Sequence, residues 1–113
     1  NTLTQRKKHK MLITSKQGKR LKKHLTGKKS NDAIRTLDQV VSALHKCKLF
    51  LAEREAIRIT LNRDEGLSLE YPSSSVEKDR YIMLIRRDGK SDNRYRVLHF
   101  PALEPVKYRD KEY

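Results

Sequence analysis

The sequence predicts an α+β domain, with one amphipathic helix packed on a four-strand antiparallel meander and a basic, flexible N-terminal arm ahead of it. Three observations carry that expectation. Residues 2–29 contain no acidic residue, apolar side chains between 34 and 47 recur at helical spacing, and from 57 onward the apolar period drops to two. At 113 residues the chain has room for one domain with a modest core. Its expected boundaries are 1–30 for the arm, 31–101 for the domain and 102–113 for a charged tail.

The arm holds eleven of the 27 Lys and Arg residues: Arg6, Lys7, Lys8, Lys10, Lys16, Lys19, Arg20, Lys22, Lys23, Lys28 and Lys29. With no carboxylate before Asp32 it carries +11, whereas residues 30–113 set sixteen basic against fourteen acidic residues and carry +2. A run of one sign this dense repels itself. Gly18 and Gly27 interrupt the helical possibility around Leu21 and Leu25. The expectation is an arm that gains weak helix on an anionic partner and that can be removed without unfolding the domain.

Beyond the arm, Ile34, Leu37, Val40, Val41, Leu44 and Cys47 make one apolar stripe, which predicts a helix from about 31 to about 49. Ser30, Asn31 or Asp32 would cap its start, and His45, Lys46 and Lys48 suit its negative end. "IRITLN" (57–62) alternates Ile57, Ile59 and Leu61 with polar residues and reads as the first strand. "GLSLEY" (66–71) reads as the second, with Gly66 supplying positive φ in the turn between them. "RYIMLIRR" (80–87), apolar on both faces, suits a central strand, and "RYRVLHF" (94–100) a fourth, closed by Pro101.

The charge distribution points to a polyanion. The arm's cations would neutralise phosphates and release counterions, giving salt-sensitive binding. A second basic group, Arg86, Arg87, Lys90, Arg94 and Arg96, surrounds the last hairpin with Tyr81 and Tyr95 nearby. Tyrosine rings on a sheet can stack on bases while cations follow the backbone, so arm and hairpin together could grip one strand. The expected function is therefore a non-enzymatic nucleic-acid-binding protein, RNA favoured over DNA, in a ribonucleoprotein assembly with other proteins as possible partners. Alternatives are a DNA-binding or chromatin-associated module, and a protein–protein adaptor whose arm is a nuclear-import signal.

Catalytic patterns are sparse. "KQGKR" lacks the upstream glycine of a phosphate-cradling loop, and no nucleophile sits beside a base. Cys47 and His45, two apart on the expected helix, point in different directions, so no metal or other cofactor is expected. His9 and His24 add partial charge to the arm, and His99 reads as a strand histidine. One carboxylate pattern remains, Asp64, Glu70, Asp88 and Lys90, which a metal-dependent nuclease could use, although Asp88-Gly89 also suits a plain hairpin turn. One cysteine excludes an internal disulfide and suits a reducing compartment, the nucleus or another RNA-containing site. No apolar run approaches the roughly 18 residues of a membrane span. Asn1 in place of Met suits a processed chain or a piece of a longer one.

Overall fold

The computed structural model describes residues 9–27, 31–49, 52–72, 81–100, 107–108 and 111–112. In chain order they form β1 (His9–Leu12), α1 (Ser15–Leu25), β2 (Asp32–Arg35), α2 (Leu37–Lys46), α3 (Arg54–Leu61), β3 (Leu67–Glu70), β4 (Tyr81–Arg87) and β5 (Tyr95–His99). A short ladder, β6 (Lys107–Tyr108) with β7 (Lys111–Glu112), lies within the expected tail. The architecture is α+β, as expected, but the sheet is mixed and has five strands in the order β1-β3-β4-β5-β2. β1 runs parallel to β3, and the other neighbours are antiparallel.

Residues paired across a ladder share a face of the sheet. The register therefore sets Leu67, Leu69, Met83, Ile85, Tyr95 and Val97 on one face, and all six belong to the hydrophobic core. The helices cover that face with Leu21 and Leu25 from α1, Leu37, Val40, Ala43 and Leu44 from α2, and Ile57 and Leu61 from α3. A register shift between Leu69 and Glu70 inserts one extra residue in β4, and Ile82 there joins the core. The opposite face is buried at its centre too, where Ser68, Glu70, Leu84 and Leu98 are all nearly inaccessible.

Three sequence expectations need correction. The N-terminal segment is not a flexible arm over 9–25: it supplies an edge strand, a helix and the core residues Ile13, Leu21 and Leu25. Its charge repulsion is real, but an amphipathic helix can expel all its charge to one side and keep its apolar side for the core. The single helix of 31–49 is strand β2 followed by α2. Thr36 is the true N-cap, with Gln39 completing a capping box, so the helix starts at Leu37 and Asp32 and Ile34 sit on a strand. Ile34 is consequently exposed by about a third rather than part of the apolar stripe.

The third correction concerns "IRITLN". Six alternating residues also contain an i,i+4 pair, Ile57 and Leu61, which a helix buries on one side together with Thr60. The preceding Arg54-Glu55-Ala56, good helix formers, are exposed and form the first turn of α3. Ile59, which a strand would bury with its neighbours, is 50% exposed.

Gly66 is the hinge from α3 into β3. Its φ is +67°, and an added Cβ would collide with the Ile85 carbonyl oxygen and Arg86 Cγ. Both facts require glycine.

Removing residues 1–29 is expected to abolish cooperative unfolding, measured by circular dichroism on heating. Leu21→Ala should cost about 2–5 kcal/mol, the range for a fully buried leucine. Ile57→Ala should be similarly costly, and Ile59→Lys should stay within about 0.5 kcal/mol of wild type. Equal losses at 57 and 59 would argue for a strand there.

Candidate nucleic-acid interface

α1 begins with a capping box. The Gln17 amide donates to Thr14 Oγ1 at 3.1 Å, and the Thr14 amide donates to Gln17 Oε1 at 2.9 Å. Gly18 lets the helix approach the sheet closely, since a Cβ there would stand 2.8 Å from Ile82 Cδ1 and 3.0 Å from the Tyr71 hydroxyl. Gly18, Leu21 and Leu25 form the buried side. At 100° per residue, Lys16, Lys19, Arg20 and Lys23 fall on the side directly opposite. All four are exposed, as are Lys22 and His24 on the flanks.

No acidic residue interrupts this stripe, and no ion pair among the described residues involves it. Like charges at i,i+3 and i,i+4 weaken an isolated helix. Lys16 also stands at the positive end of the helix dipole, where a cation is unfavourable. α1 is therefore held by its apolar side, and its cations are uncompensated within the described fold.

The hairpin group fares differently. Tyr95 is fully buried in the core, so its ring cannot stack on a base as the sequence suggested. Strand alternation puts it on the covered face with Val97, and its hydroxyl reaches the C-terminal end of α3 beside Asn62. Burial raises the phenol pKa, opposed by the charges of Arg58, Arg87 and Arg54. Arg96 is committed internally: its Nη1 donates to Asp32 at 2.7 Å and its Nε to Asp88 at 3.4 Å. Arg86 and Arg87 are half-buried and engaged, which leaves Lys90 and Arg94 exposed beside Asp92. The tyrosine partner expected at position 81 has a side chain outside the described residues, as do Arg6, Lys7, Lys8, Lys28 and Lys29.

Nor do the two basic regions meet. Ile13 bonds to Glu70 at the end of β3, Gly18 lies over Ile82 near the start of β4, and the Lys22 charge acts on His99 at the end of β5. α1 thus crosses one end of the sheet, and the 88–94 turn lies at the other. β4, seven residues long, separates them by roughly 20 Å. Lys10 is exposed on the β1 edge.

What adjoins α1 instead is the C-terminal end of α2. Gln17 Nε2 donates to the Cys47 carbonyl at 3.1 Å, placing exposed Lys46 and Lys48 next to the first turn of the basic helix. Thirty residues separate the partners in sequence, so no local pattern announces this contact. Cys47 itself is buried, and burial raises its thiol pKa against the opposing charge of Arg20, the setting of a packing residue.

The carboxylates of the nuclease pattern are dispersed. Asp88 receives Arg96, and Glu70 is buried at the opposite end of the sheet from Asp64 and Asp88. Among the described residues no group of three or more His, Cys, Asp or Glu side chains is placed to hold a metal ion. No helix among them is long and apolar enough to cross a membrane. Compared with known protein families, curated proteins and solved structures, the chain matches none.

His99 reports how α1 is docked. Its Nδ1 is buried without a described hydrogen-bond partner, and burial, followed by the nearby Lys22 charge, lowers its pKa to about 4. The folded state favours the neutral ring, so His99 contributes stability above its unfolded pKa near 6.5. That contribution is lost as pH falls from about 6.5 towards 4. Urea midpoints measured across this window should fall more steeply for wild type than for His99→Gln.

Proposed function

We propose that this chain is a non-enzymatic nucleic-acid-binding protein that grips the phosphate backbone of RNA within a ribonucleoprotein assembly. One observation carries the reading: Lys16, Lys19, Arg20 and Lys23 form an exposed, uncompensated cationic stripe on a helix anchored by its other side. A stripe with that geometry opposes the stability of its own helix, and an anionic ligand would remove the opposition.

The chemistry of the stripe also favours a class of readout. Three of its four cations are lysines, compact point charges suited to phosphate, whereas base reading uses bidentate Arg, Asn or Gln. Tyr95 is unavailable for stacking, which removes the main support for single-strand recognition through bases. Recognition by shape and phosphate contact, without base reading, is the usual mode for double-stranded RNA. Duplex RNA is accordingly the favoured ligand, through α1 rather than the hairpin.

Replacing Lys16, Lys19, Arg20 and Lys23 together by Gln should leave the melting temperature unchanged or raised, because the replaced groups are exposed and mutually repulsive. The same variant should weaken binding to every sequence alike and flatten the log–log salt dependence by about 3–4 units, close to 0.9 per phosphate contact. Fluorescence titrations with duplex RNA, single-stranded RNA and duplex DNA at two salt concentrations measure both. An unchanged slope would overturn the assignment to α1, and tighter binding to duplex DNA would replace RNA by DNA.

A further inference from the structure

α2 ends in a Schellman turn. The Leu49 amide donates to the Leu44 carbonyl at 2.8 Å and the Lys48 amide to the His45 carbonyl at 3.0 Å. Leu44 and Leu49 are both buried, which completes the apolar contact of this motif. The turn holds Lys48 at φ 57°, and among the described residues no other non-glycine side chain occupies the left-handed region. The chain uses glycine at the other two positive-φ positions, Gly66 and Gly89. At Lys48 a side chain with a Cβ crowds its following carbonyl, and glycine would relieve it.

A lysine here suits the negative end of the α2 dipole, yet its charge has no described anionic partner. Lys48 is exposed, and no described ion pair or side-chain hydrogen bond involves it. It follows directly on Cys47, whose carbonyl receives the Gln17 side chain from the first turn of α1. The strained lysine therefore stands beside the end of the cationic stripe at which Lys16 and Arg20 lie. The Schellman turn requires a left-handed residue at this position, and it thereby fixes the backbone from which the exposed lysine projects.

We infer that Lys48 is a phosphate-contact residue that extends the α1 stripe onto the end of α2, where the Schellman turn and the Gln17–Cys47 bond fix its backbone beside the first turn of α1. Lys46, in the last turn of α2, is exposed as well. The inference rests on the RNA-binding reading and adds to it a surface built from two segments distant in sequence.

Four variants of the full chain, titrated with a fluorescein-labelled RNA duplex and melted in parallel, test it. Lys48→Gly should raise the melting temperature by about 2–6 °C, since the strain is relieved. The same variant should bind more weakly and lose about one unit of salt slope. Lys48→Asn, which tolerates the left-handed region without a charge, should show the same loss of slope. Lys48→Arg should retain wild-type binding. If Lys48→Gly and Lys48→Asn bind like wild type while a Lys19→Gln/Lys23→Gln variant binds more weakly, Lys48 is not a contact and the α1 reading stands alone. If none of these substitutions alters binding, the α1 reading itself fails. A melting temperature lowered by Lys48→Gly would show that the lysine serves the fold.

Discussion

The burial of one side of α1 against the sheet, while the opposite side is wholly cationic, is the constraint on which the rest of the structure depends. Four like-charge pairs along the stripe, each worth about 0.2–0.5 kcal/mol, oppose the helix by roughly 1–2 kcal/mol. Full burial of Leu21 and Leu25 offsets this, at about 1.5–3 kcal/mol each. The balance favours the helix only because Gly18 permits close approach to Ile82 and Tyr71, and because Thr14 and Gln17 close the first turn. An isolated peptide of this sequence has none of the burial and all of the repulsion.

From that docking follow the fates of the two basic regions. No described ion pair involves the α1 cations, whose side of the helix is opposite the side that packs into the core. The hairpin cations lie among acids instead. Arg96 bridges Asp32 on the edge strand β2 and Asp88 in the turn, so its charge ties the edge of the sheet to the hairpin. Two clusters of similar composition thus have different uses. One is part of the fold's internal electrostatics, and the other is left over, which is what gives it a candidate role in binding.

Several features of this arrangement were legible in the residues. Both capping boxes, Thr14 with Gln17 and Thr36 with Gln39, are threonine–glutamine pairs three apart that the chain carries, yet the apolar stripe points to a start for α2 at Ser30–Asp32, and Gly18 and Gly27 point to weak helix for α1. The apolar runs of β3, β4 and β5 stood out by their composition and boundaries, and Gly66 by its place in a turn. α3 was obscured because six residues of alternation cannot separate period two from an i,i+4 pair. The length of the helix-forming stretch before it, from Arg54, was the better signal.

The sequence by itself determined the class of fold, the excess of positive charge ahead of Asp32 and the strands from Leu67 to His99, because each rests on local composition or short-range periodicity. Tertiary structure alone decided which cations remain available. Tyr95 and Arg96 are adjacent in a strand, yet alternation sends the ring into the core and the guanidinium to Asp32, 64 residues away. Gln17 and Cys47 meet across thirty residues and so join the end of α2 to the first turn of α1. Pairing between distant segments is set by the packing of whole apolar faces, and that energy is not contained in any local stretch of chain.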